Sequence, residues 1–134
     1  MDAKNNLKGA IKKIKHLTFS SKDEVFTFRK KAEQEFKTFF LPNGVECSTR
    51  KYANIECDVL APEIYASNRI ILYIHGGSFV GGSREVYKNF CSSLAAKCFS
   101  RVVVPEYRLA PENLYPAAIE DIQEIFRALL TEEQ

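Results

Sequence analysis

The sequence has no apolar run that approaches the ~20 residues a membrane span needs. Residues 1–17 are rich in lysine and lack the apolar core of a secretory signal. Charge is nearly balanced, 19 Lys and Arg against 17 Asp and Glu, so the strongly basic character of a nucleic-acid-binding domain is missing. The four cysteines, Cys47, Cys57, Cys91 and Cys98, form no C-x-x-C pair and have no histidine at metal-ligand spacing. With no secretory signal, a disulfide framework is not expected either. They read as reduced, mostly buried small hydrophobes of a cytoplasmic protein. Internal repeats and low-complexity segments are absent, and histidine occurs only as His16 and His75.

What is present is ordinary globular material. The 134 residues are one domain's worth of chain, 46% hydrophobic and 27% charged. Disorder, collagen and coiled coil are excluded as whole-chain descriptions. In residues 1–40, Ala3, Leu7, Ala10, Ile11, Ile14 and Leu17 recur at helical spacing, with Lys4, Lys8, Lys12 and Lys15 along another face. Ser21 and Glu24 have capping-box spacing ahead of a second helix, whose face carries Val25, Phe28, Ala32, Phe36, Phe39 and Phe40. The turn Leu41-Pro42-Asn43-Gly44 separates these helices from the remainder.

Beyond it the period changes. Val45, Cys47 and Thr49, then Ile55, Cys57 and Val59, alternate with polar residues and predict two short antiparallel strands, the second ended by Ala61-Pro62-Glu63. The apolar run Arg69–Ile74 suits a parallel strand covered on both faces. Ser83 is a good N-cap for a helix whose face carries Tyr87, Cys91, Leu94 and Cys98. Arg101–Pro105 predicts another buried strand, and residues 106–115 a loop. Pro116 then takes the first position of a final helix with the stripe Ala118, Ile122, Ile125, Phe126 and Leu129. Strands alternating with helices argue for an α/β fold with a largely parallel sheet, led by the two antiparallel strands.

The chemistry is concentrated in His75-Gly76-Gly77-Ser78-Phe79-Val80-Gly81-Gly82-Ser83. This is no phosphate loop, because Gly82 stands where the lysine must be. It is no dinucleotide fingerprint, because G-x-G-x-x-G spacing is missing. Four glycines within seven residues suit a backbone that presents N–H groups to a ligand; composition alone explains a purely structural loop equally well.

This segment resembles the HGGG-type loop of α/β-hydrolases. Tyr107-Arg108-Leu109-Ala110-Pro111-Glu112 through Ala118, followed by Glu120-Asp121, is similar to a second signature of the same group. The two in register resemble the hormone-sensitive-lipase-like esterases, the α/β-hydrolase fold-3 family. The resemblance covers the first strand to the end. It divides the chain into cap-like helices over 1–40 and a partial hydrolase domain over 41–134 that stops before the nucleophile strand. It implies that the Gly77 and Ser78 amides serve as oxyanion-hole donors, with His75, Gly76 and Phe79 binding substrate or shaping the loop. Ser78 departs from the family's third glycine and Glu106 from its usual Asp. Arg108, Glu112 and Asp121 are expected to hold the proline-rich loop by ion pairs.

No G-x-S-x-G elbow occurs, and His16 reads as a solvated surface residue, so nucleophile, acid and base of a triad are all missing from this chain. The implied activity is hydrolysis of short-chain carboxylic esters by a longer parent through a serine nucleophile, with no metal and no organic cofactor. This chain alone is expected to be inactive. The alternative is a non-catalytic remnant or binding module completed by a partner chain. A small ester is the expected substrate; nucleic acid is not a partner and no transmembrane segment is expected. The lysine stripe reads as a solvated face, with peripheral membrane binding as the weaker option. The family's strand order leaves Ile70–Ile74 on an open edge, which predicts self-association or a completing polypeptide.

Overall fold

The computed structural model describes residues 7–12, 15, 24–36, 44–66 and 68–133. Residues 7–12 are helical (α1), and every described residue of that stretch is exposed, including Lys8 and Lys12. Helix α2 follows (Val25–Glu35), then β1 (Val45–Tyr52), β2 (Ile55–Pro62), β3 (Ile70–Leu72), α3 (Arg84–Cys98), β4 (Arg101–Pro105) and α4 (Ala117–Glu132). Ser21, Phe39, Phe40 and the turn at 41–43 lie outside the described residues. The carboxylate of Glu24 caps α2, accepting from the amides of Phe26 and Thr27. Phe28 and Ala32 are that helix's buried residues.

The sheet order is β1-β2-β4-β3. β1 and β2 form the expected antiparallel hairpin, in register from Val45 opposite Pro62 to Tyr52 opposite Ile55. β2 continues antiparallel to β4, and β4 pairs parallel with β3. Side-chain alternation sorts the core into two layers. Leu60, Val102 and Val104 face Cys91 and Ala95 of α3. Cys57, Val59 and Val103 face Ile125 and Leu129 of α4. Helices thus cover both faces, which is why Val102-Val103-Val104 has no polar partner in the pattern.

An ionic cluster fixes α3 against the sheet. Asp58 is 4% exposed and accepts from Arg84 at 2.8 Å, with Lys88 at 3.4 Å. Arg84 also reaches Glu56 at 3.0 Å and Glu106 at 2.8 Å. Glu106 accepts from the Arg84 backbone amide as well, so its longer side chain ties the end of β4 to the first turn of α3.

Four expectations need correction. Arg69–Ile74 is a shorter strand than expected: β3 is three residues long and half-buried, with Ile71 packed on the α3 layer and Ile70 and Leu72 on the α4 layer, and among the described residues only β4 pairs with it. Pro116 is the N-cap of α4 rather than its first residue, its carbonyl accepting from Ile119 and Glu120. Cys98 is exposed, because the buried line of α3 runs through Cys91, Ser92 and Ala95 and the helix ends at a left-handed Phe99. Phe126 is 53% exposed, beside Ile70, Leu72 and Leu130 at the open edge of the sheet. Cys57 and Cys91 are buried as expected, and burial pushes their thiols up to about 11 and about 12.

Candidate active site

The glycine-rich loop leaves the end of β3 and enters α3 at Ser83, whose hydroxyl caps the helix by accepting from the Val86 amide. Its conformation is a tight turn. The Gly77 carbonyl accepts from both Val80 and Gly81 at 3.0 Å. Gly77 has φ +141°, and a Cβ there would lie 2.0 Å from the Gly81 carbonyl oxygen, so no other residue fits. Ser78 and Phe79 both occupy the left-handed region, at φ +55° and +61°. The third glycine of the HGGG pattern answers this requirement, and Ser78 meets it at a cost in backbone strain.

The turn leaves the Gly77 and Ser78 amides without an acceptor among the described residues. Both residues border an open cavity of about 540 Å³. Its other walls are Phe28, Ala32 and Phe36 of α2, Tyr73, Gly76 and Gly82, and Val86, Tyr87 and Phe90 of α3. The arrangement is two backbone donors at the rim of a largely apolar cleft, able to hold a negatively charged oxygen on a small apolar molecule.

His75 stands behind the loop rather than in the cleft. It is 3% exposed, stacked on Tyr107 at 4.3 Å between ring centroids and on Tyr87 at 5.6 Å. The Tyr107 hydroxyl donates to the His75 carbonyl at 2.6 Å. The His75 Nδ1 lies 3.1 Å from the Gly76 carbonyl and 3.2 Å from the Tyr107 oxygen, so both neighbours call for a proton on Nδ1. Nε2 is then a bare acceptor, buried and without a partner among the described residues. Burial lowers the His75 pKa below 6.5, against the opposing pull of the Gly76 carbonyl and the Glu106 carboxylate. A neutral, stacked imidazole orients the loop; it is not placed to take a proton from a nucleophile.

Phe79 does not reach the main cleft. It is 54% exposed and lines a separate apolar groove with Ala110, Tyr115, Pro116 and Ile119. The proline-rich loop is held by ion pairs through Arg108, Asp121 and Glu112. Arg108 and Asp121 pair as expected, at 2.7 Å, with the Arg108 amide also bonded to that carboxylate at 2.9 Å. Glu112 accepts from both terminal nitrogens of Arg29 in α2. Arg29 carried no sequence signal, since one arginine in a lysine-rich helix looks like surface charge. Tyr107 carried only its place in the second motif.

A family profile described as alpha/beta hydrolase fold matches residues 71–134. A hormone-sensitive lipase from a metagenome library is similar in structure, with TM-score 0.83 and 28% identity over 99% of this chain and 44% of its own. The chain has the α/β-hydrolase fold and is similar to esterases of the hormone-sensitive-lipase family. An esterase of Acinetobacter venetianus is 36% identical over 67 residues, 50% of this chain and 22% of that protein. The esterase LipI of Mycobacterium tuberculosis is 48% identical over 52 residues, 39% of this chain and 16% of its own. The relatives are thus ester hydrolases, and the chain spans less than half the length of the proteins it matches. Among the described residues, no helix is long and apolar enough to cross a membrane.

Two predictions follow from the loop geometry. Ser78→Gly relieves a left-handed L-residue but adds freedom to the unfolded chain, so the net expectation is a gain of up to about 1 kcal/mol. A lower urea midpoint for Ser78→Gly would show that the serine side chain contributes more than its backbone costs. The second concerns pH. Because the folded His75 pKa is lowered, the unfolded chain binds more protons below pH 6.5. The stability this residue supports is full above 6.5 and is lost as pH falls from there through the lowered folded value. Urea titrations at successive pH values should show this loss in the parent and a shallower slope in His75→Asn; equal slopes would exclude it.

Proposed function

We propose that this chain carries the oxyanion-binding part of a carboxylesterase acting on short-chain acyl esters. The observation that supports this most is the pair of free amides at Gly77 and Ser78 on the rim of an apolar cleft. Acyl transfer from an ester builds negative charge on the carbonyl oxygen, and preorganised N–H donors lower that barrier by several kcal/mol, typically about 2.7–4 for one donor. The cleft walls of Phe28, Val86 and Phe90 suit a short acyl chain, with α1 and α2 acting as the cap. A serine nucleophile, an acid and a histidine base come from sequence beyond these 134 residues, since none has the required context here. The chemistry calls for no metal or organic cofactor, and the unpaired thiols suit a cytoplasmic setting.

The test is hydrolysis of p-nitrophenyl acetate by the 134-residue chain and by the native polypeptide from its source, after its intact mass is measured. The expected outcome is a burst of nitrophenolate from a longer native form and none from the short chain. A longer native form without turnover would overturn the esterase reading.

A second reading rests on the open edge of the sheet. Among the described residues β3 pairs on one side only, and Ile70, Leu72, Phe126 and Leu130 line an apolar groove beside it. Unpaired strand edges recruit further strands. If the short chain is the native form, this edge joins a second copy or a completing polypeptide, and the hydrolase motifs are inherited architecture. Light scattering over rising concentration should show association of the 134-residue chain; a monodisperse monomer would remove this reading.

A further inference from the structure

Arg29 lies outside the cleft, yet it is wired to the loop. Its Nε donates to the Val80 carbonyl at 2.7 Å, and its Nη2 donates to the Ala110 carbonyl at 2.7 Å. Glu112 accepts from both terminal nitrogens, and this pairing holds the Glu112 carboxyl below its ordinary pKa. One side chain therefore joins α2, the glycine-rich loop and the proline-rich loop. Beside it, Gly81 packs so closely on α2 that a Cβ there would lie 2.5 Å from the Phe28 ring.

The consequence comes from following the peptide groups. The Val80 carbonyl and the Gly81 N–H belong to one peptide unit. That N–H donates to the Gly77 carbonyl at 3.0 Å. The Gly77 carbonyl and the Ser78 N–H belong to the next unit in the relay. A cation at Arg29 thus heads a chain of two hydrogen-bonded peptide groups that ends at the Ser78 N–H, which has no acceptor among the described residues. Hydrogen bonds in such a chain polarise one another, and each carbonyl that accepts makes the N–H of its own unit a stronger donor. The same bonds fix the plane of the Gly77–Ser78 peptide, and therefore the direction of that N–H.

We propose that Arg29 is a positioning residue for oxyanion binding: through the Val80–Gly81 and Gly77–Ser78 peptides it aims and polarises the Ser78 amide. This rests on the esterase reading for its purpose, but its geometry is testable without ester turnover. The measurement is NMR of the isotope-labelled 134-residue chain, following amide exchange at Gly81 and the carbonyl carbon shifts of Val80 and Gly77. In Arg29→Met, Gly81 exchange should rise about tenfold, the scale of one lost hydrogen bond to a charged group. The Val80 and Gly77 carbonyl resonances should move with it. Arg29→Lys can still donate to one carbonyl and should restore part of both effects, which mere packing would not predict. Amides of Val102, Val103 and Val104 serve as the internal control and should not change. Unmoved Gly77 and Gly81 signals in Arg29→Met would overturn the proposal. So would a rise in exchange shared equally by β4, because that would be general loosening. Absence of ester turnover in a longer native form would sink the esterase reading while leaving this relay measurable.

Discussion

Strand β4 has no free side, and the described structure is arranged around that constraint. Both of its edges are paired, antiparallel to β2 and parallel to β3. Both of its faces are covered, Val102 and Val104 by α3 and Val103 by α4. Among the described residues β3 has no strand on its outer side, so its position depends on β4. The glycine-rich loop starts where β3 ends, and the Tyr73 amide still bonds to the Val103 carbonyl at 2.8 Å just before it. The placement of the free amides is therefore inherited from the most buried strand of the domain.

The loop itself is held from behind by polar contacts rather than by packing alone. Tyr107, just beyond β4, bonds the carbonyl of His75 and stacks on its ring. Burial pushes the Tyr107 phenol up to about 12, so it remains a donor across the physiological range. From the other direction, Arg29 grips the Val80 carbonyl. Between these two anchors, Gly77, Ser78 and Phe79 keep positive φ values. Strain of this kind persists only where surrounding structure over-determines it.

Much of this was legible in residue order. The hairpin, the buried strand Arg101–Pro105, the Ser83 cap and the final helix follow from period and from local capping chemistry. The glycine-rich loop stood out by composition, and its pairing with the Tyr107–Ala118 segment carried the family resemblance. Contacts between distant segments were not legible. That Glu112 forms an ion pair was expected without a partner, and the residue that meets it is Arg29, 83 positions earlier. The length of β3 was inferred from an apolar run, and a run cannot say how far pairing with β4 extends.

By itself, the sequence determined the alternation of elements, the glycines that permit a left-handed turn, and that no G-x-S-x-G elbow lies within these 134 residues. These are local properties, set by side-chain period, backbone freedom and residue identity. Only the tertiary structure decided that His75 is sealed between two tyrosines, that the Gly77 and Ser78 amides have no acceptor among the described residues, and that Arg29 connects helix α2 to their loop. Those depend on which groups end up side by side, and the packing of β4 between α3 and α4 brings them there.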